Sequence, residues 1–161
     1  MHAHVRRVLA AAALFLLAGC YDIGAPVIDL RDAQALPWVV GEWEFPHGRE
    51  VAVFQGDHPN EYRYRDVTAR SVGTGTFRAV PLGGETYLVQ AIGDNGDVAV
   101  LFFRRHPDGG IAELKGNNAV FDLAKRFGVE LDDLDGDGLI LDGSAAKVRA
   151  FLLAHTPEHF R

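Results

Sequence analysis

From Pro46 to Gly110 a cluster of turn-forming residues interrupts the chain at short, regular intervals. The clusters are Pro46-His47-Gly48, Gly56-Asp57-His58-Pro59-Asn60, Leu82-Gly83-Gly84, Gly93-Asp94-Asn95-Gly96 and His106-Pro107-Asp108-Gly109. Between them lie runs rich in Val, Tyr, Phe and Thr, each too short for an ordinary helix. Connections of a few residues leave no room for the crossover that a parallel pair needs, so neighbouring strands must be antiparallel. The runs predict seven strands: Trp38–Phe45, Glu50–Phe54, Glu61–Val67, Thr74–Val80, Thr86–Ile92, Val98–Phe103 and Ile111–Leu114. In the third, Tyr62 and Tyr64 alternate with Arg63 and Arg65, the period of two of a half-buried strand. The sixth is apolar at every position from Val98 to Phe103, which marks a central strand buried on both sides.

The last third changes period. Val120, Leu123, Ala124 and Phe127 fall at helical spacing behind Asn118, a candidate cap, and Gly128 stands where a left-handed residue ends a helix. Ser144 caps a second predicted helix carrying Val148, Phe151, Leu152 and His155 on one face, with Pro157 as its stop. The expected fold class is therefore α+β: an antiparallel β-meander of seven to eight strands, forming a curved sheet or partial barrel, with two C-terminal helices.

The N-terminal segment has a different composition. Arg6 and Arg7 precede an unbroken apolar run from Val8 to Ala18, the layout of a secretory signal, and that run is too short to span a bilayer. Its end, Leu17-Ala18-Gly19-Cys20, resembles the lipobox of bacterial lipoproteins. The resemblance implies cleavage between Gly19 and Cys20, thioether diacylation of Cys20 and acylation of the new amino terminus. Two or three acyl chains at about 0.8 kcal/mol per buried CH₂ anchor firmly where one binds marginally. Tyr21 in place of the Asp that retains enteric lipoproteins in the inner membrane implies the periplasmic face of the outer membrane. The expected organisation is a signal peptide over residues 1–19, a lipidated terminus and tether over 20–36, and one globular domain over 37–161. As a tether, Tyr21–Leu36 would reach at most about 55 Å when extended.

Cys20 is the only cysteine, which excludes disulfides, thiol redox catalysis and cysteine-rich zinc sites, so stability must come from a buried core. The hydrophobic share of 48%, with ten Phe, is enough to build one. Loss of Arg6 and Arg7 moves the formal charge from −6 to −8, which argues against nucleic acid or a polybasic lipid patch as the main partner.

The polar stretch between the helices admits two readings. Asp133, Asp135 and Asp137, with Gly138 and Ile140, resemble positions one, three, five, six and eight of an EF-hand calcium loop. That resemblance implies a Ca²⁺ held by three carboxylates, although Ser144 stands where the bidentate Glu belongs. The other reading is an acidic hairpin, with Val129–Leu131 and Leu139–Leu141 as strands around Asp135-Gly136-Asp137-Gly138. His47, His58 and His106 fall in turns without zinc-ligand spacing, and His155 is expected to be a satisfied, half-buried side chain. Ser71 and Ser144 lack the surroundings of a hydrolase nucleophile, and no phosphate loop is present, so no enzyme is expected.

Gly41-Glu42-Trp43 on the first strand is similar to the Gly-x-Trp of lipocalins, up-and-down barrels that carry apolar ligands and close their base with that Trp. The simpler reading of the same residues, and the favoured one, is a plain core tryptophan near a strand start. The functional expectation is a membrane-anchored envelope lipoprotein acting as a non-catalytic binding or interaction module, with an apolar ligand or envelope protein as partner. The alternatives are a structural lipoprotein without a small ligand, and a lipocalin-like carrier. No cofactor other than the possible Ca²⁺ is expected.

Overall fold

A computed structural model describes residues 21–133 and 139–160. The strands are β1 (Tyr21–Ile23), β2 (Gly41–Phe45), β3 (Arg49–Gln55), β4 (Tyr62–Val67), β5 (Val72–Gly83), β6 (Thr86–Gly93), β7 (Val98–Arg105), β8 (Ile111–Glu113), β9 (Glu130–Asp133) and β10 (Leu139–Asp142). The helices are α1 (Ala119–Phe127) and α2 (Ala145–Leu153). Strands β2 to β8 pair in chain order, each antiparallel to the next, as the turn spacing requires. This is the α+β meander, curved into a partial barrel, with its two helices following.

The sheet forks at β7. The C-terminal half of β7 pairs with β8 through Phe103, Arg104 and Arg105. Its N-terminal half pairs with β1 through Val98, Ala99 and Val100. Beyond β1 the sheet continues to β10 and β9. Because of this fork, β6 and β7 are covered on both faces. Leu88, Val100 and Phe102 join Tyr21, Ile23 and the apolar sides of α1 and α2 in one core. Tyr87, Val89, Ala91 and Leu101 point the other way, into the concave side of the meander. Alternation in β4 is strict: Tyr62, Tyr64 and Asp66 are buried, while Arg63 and Arg65 are exposed.

Three local details differ from the sequence reading. Trp38 is not in a strand, because Pro37 starts a 3₁₀ turn, Pro37–Val39, ahead of β2. Asn118 stands at the N-cap position of α1 as expected, but its side chain makes no cap bond; Asn117 Oδ1 instead accepts from the Ala119 amide at 2.9 Å. Pro157 does not itself end α2. That helix stops at Leu153, and Pro157 begins a separate 3₁₀ turn. Gly128 does end α1 with φ 63°, and the Ser144 Oγ accepts from the Lys147 amide at 3.4 Å. The acidic hairpin is present as the antiparallel pair β9 and β10.

The larger correction concerns residues 21–36. They are not a tether. Tyr21 and Ile23 lie in β1, antiparallel to β7 and parallel to β10, and Val27, Ile28, Ala33 and Leu36 are buried as well. The folded domain therefore includes residues 21–36 and does not start at residue 37. Apolar side chains spaced irregularly between Gly24, Pro26 and the aspartates hide this in the sequence, because irregular backbone packs without a period. Its polar groups are met from outside. The fully buried Gln90 Oε1 accepts from the amides of Val27 and Ile28, and its Nε2 donates to the Ile28 carbonyl. The Gln34 amide donates to the Ala79 carbonyl at 2.8 Å. Arg149 donates to the Val27 carbonyl and to Asp32. Replacing Gln90 by Leu strands two buried amides, and we expect a loss of roughly 2 kcal/mol in denaturant unfolding.

His155 also departs from expectation. It is fully buried among the rings of Tyr21, Phe102, Phe151 and Phe160, with centroids 4.7 to 6.1 Å away. Its Nδ1–H donates to the Phe151 carbonyl at 3.0 Å, and its Nε2 has no partner among the described residues. Burial, with a smaller contribution from His159, pulls its pKa down to about 4 against the opposing backbone bonds.

A cavity in the concave face of the meander

The concave face follows from strand alternation. Trp43 and Phe45 on β2, Val51 and Val53 on β3, Tyr64 on β4, Phe77 on β5, Val89 and Ala91 on β6, and Leu101 and Phe103 on β7 all turn inward. Leu36, Trp38 and Val39, on and beside the 3₁₀ turn, cover part of this face. The turn is fixed in place by the Trp43 Nε1–H, which donates to the Val39 carbonyl at 2.8 Å, and by the Leu36 amide, which donates to the Tyr62 hydroxyl. Trp38 packs on Tyr87 at 5.6 Å and carries the Arg105 guanidinium 4.8 Å from its ring centre. These side chains line a half-open cavity of about 100 Å³ whose surface is almost wholly apolar. Typical ligand pockets run to roughly 300–1,000 Å³, whereas an apolar cavity of about 150 Å³ holds benzene. The size matches one ring or one branched aliphatic group, not a long acyl chain.

The curvature brings the two flanks of the meander together. Phe45 on β2 and Phe103 on β7 are 6.4 Å apart, although four strands separate them in the sheet. Arg49 on β3 grips Asp66 on β4 through Nε and Nη2, the shortest contact being 2.8 Å, and reaches Glu113 on β8 at 3.4 Å. Its guanidinium also lies over the Phe45 ring at 5.3 Å. The open side of the half-barrel is thus crossed by an ionic cluster, not by a strand ladder. No pairing joins β2 to β8 among the described residues, so the meander is not the closed barrel of lipocalins, and Trp43 stands in the cavity wall.

The cluster is electrostatically uneven. Asp66 accepts three hydrogen bonds from the Arg49 guanidinium, while the buried Glu113 Oε1 has no partner among the described residues. Burial pushes the Glu113 carboxyl up to about 7, with Asp66 adding to the shift and Arg49 and Lys115 opposing it. Tyr64, beside Asp66 on the same face, is raised to about 12, chiefly by burial. The folded chain holds the Glu113 proton more tightly than the unfolded chain. Its contribution to stability is therefore complete below about pH 4.5 and lost as pH rises through about 7. His155 acts in the opposite sense: its contribution is present above about pH 6.5 and lost as pH falls through about 4. The two slopes oppose each other between those limits. Glu113→Gln isolates them, and we expect it to gain roughly 3 kcal/mol relative to wild type between about pH 4 and pH 8 in denaturant melts.

Sequence reading located Trp43 but missed Arg49, Asp66 and Glu113. One signal was present: Asp66 continues the inward series of Tyr62 and Tyr64, and a charge on the apolar face of a strand needs a buried partner. The partners on β3 and β8 depend on curvature, which no linear pattern encodes. Of the other candidate sites, Gly19, Cys20, Asp135 and Asp137 lie outside the described residues, as does the side chain of Asp133. No metal-binding group of His, Cys, Asp or Glu occurs among the described residues, and none of their helices is long and apolar enough to cross a membrane. No protein family, curated protein or solved structure matches the chain.

Proposed function

We propose that this chain is a lipid-anchored bacterial envelope lipoprotein whose half-barrel is a non-catalytic binding module for a compact apolar group. The observation that carries the binding part is the cavity of about 100 Å³ in the concave face, aromatic and aliphatic on nearly all its surface. A cavity of that size excludes water at low cost and gains dispersion contacts when filled by a ring or a branched chain. Its wall is aromatic and aliphatic except for Arg49, Asp66 and the Tyr64 hydroxyl, and the proposed reading is capture of an apolar group. Anchoring rests on Leu17-Ala18-Gly19-Cys20 and the basic, apolar stretch before it, with the periplasmic face of the outer membrane as the proposed location.

Fractionation tests the anchor: wild type sediments with membranes and Cys20→Ala does not. Equal sedimentation of both removes the lipoprotein reading. A panel of toluene, indole and palmitate tests the module. The compact rings raise Tm and palmitate does not; a larger shift with palmitate supports the lipocalin-like carrier instead.

A further inference from the structure

Aromatic rings dominate the cavity wall. Seven of its seventeen lining residues are aromatic, and they arrive from five strands and from the 3₁₀ turn. Many of them meet in pairs: Trp38 with Tyr87 at 5.6 Å, Phe45 with Phe103 at 6.4 Å and Tyr64 with Phe77 at 6.5 Å between ring centres. The face of an aromatic ring is negative, so rings gathered around one space favour a cation there over a neutral group of the same shape. Cations already rest on two of these rings, Arg49 on Phe45 and Arg105 on Trp38.

Acids outweigh those two cations around the cavity. Arg49 bonds both Asp66 and Glu113. The Arg105 amide donates to the Glu85 carbonyl at 2.9 Å, and the Glu85 carboxylate accepts from the Tyr87 hydroxyl at 3.5 Å. Three acids therefore stand against two guanidinium groups. Almost no polar surface faces the cavity itself. A ligand bringing N–H or O–H groups into it would give up hydrogen bonds to water without replacement. A trimethylammonium head carries positive charge and has no hydrogen to donate. It has the shape of a tert-butyl group, the branched size that about 100 Å³ admits, and the half-open side lets the rest of such a molecule reach solvent.

We propose, on the reading that the half-barrel is a binding module, that the compact group it takes is the trimethylammonium head of an organic cation. The rings supply the attraction, and the excess of acid fixes the sign of the charge.

The test compares choline with 3,3-dimethyl-1-butanol, which has the same shape with carbon in place of the charged nitrogen. The full chain is titrated with each in maltoside detergent at constant ionic strength and at pH 8, where the Glu113 carboxyl, raised by burial to about 7, is ionised. Both tryptophans of the chain, Trp38 and Trp43, line the cavity, so intrinsic fluorescence reports its occupancy. We expect choline to bind about tenfold more tightly than the alcohol. Phe77→Leu keeps the wall apolar but removes one ring, and it should narrow that ratio in protein that still unfolds cooperatively. Soluble dibutyroyl phosphatidylcholine in the same titration separates the sources of the cation. Tighter binding than choline assigns a lipid head group and weaker binding a free solute; either supports the proposal. Equal affinity for choline and the alcohol overturns the cation and leaves the apolar module standing. Saturable binding of neither overturns the proposal, and failure of toluene besides overturns the module.

Discussion

Replacing Arg49 by Met should cost about 3–5 kcal/mol, the penalty for leaving buried charge without its partner. Arg49 supplies the ion-pair and guanidinium contacts of Asp66, which is 3% exposed, and of Glu113 Oε2. Without it two carboxyl groups face each other in an apolar wall, and at least one must take up a proton. The loss should therefore be smaller at about pH 5 than at about pH 8, since protonation relieves it. The cluster is not a source of stability in itself. A triple variant, Arg49→Met/Asp66→Leu/Glu113→Leu, should recover most of the loss, because well-packed apolar residues often replace a buried ion network without penalty. Guanidinium unfolding of the single and triple variants at both pH values checks this. Equal instability of the two would mean that the cluster is needed for packing, not merely for charge balance.

The second large effect is expected at Tyr21→Ala, with a loss of about 3–5 kcal/mol, in line with aromatic truncations in well-packed cores. Its ring meets Phe102 edge-on at 5.7 Å and Phe151 at 6.0 Å, and His155 lies 6.1 Å away. Burial also pushes its hydroxyl far above the usual tyrosine range. A tether residue would give no change. The measurement is best made on a soluble Cys20→Ala background, so that lipid does not add to the melt. Deletion of residues 21–36 should go further and abolish cooperative unfolding, because it uncovers the N-terminal half of β7 and leaves Gln90 buried without its partners.

Much of this fold was legible because meanders are local. Turn clusters delimit β3 to β8 to within a few residues, and the all-apolar Val98–Phe103 run did mark the strand buried on both faces. The helices follow from period and cap positions, although at α1 the side-chain bond comes from Asn117 and not from Asn118. What stayed hidden is non-local. Tyr21–Ile23 is too short to show alternation, and its partners lie 75 or more residues ahead in sequence, so nothing near it announces a strand. The parallel β1–β10 pair escapes the rule of short connections for the same reason: nearly the whole domain is its crossover. At the cavity, sequence gave individual aromatic residues but not their enclosure. Arg49 and Glu113 are 64 residues apart and meet only because the sheet curls.

The claim that the concave face receives a compact apolar group is tested most directly by titrating toluene into the soluble Cys20→Ala protein and into the same protein carrying Ala91→Leu. Ala91 is 4% exposed in the cavity wall, and a leucine there fills the space a ligand would take. We predict saturable one-to-one binding by the parent in ligand-observed NMR, and none by an Ala91→Leu variant that still unfolds cooperatively. Absence of saturable binding in the parent, or equal binding in the filled variant, would contradict the account.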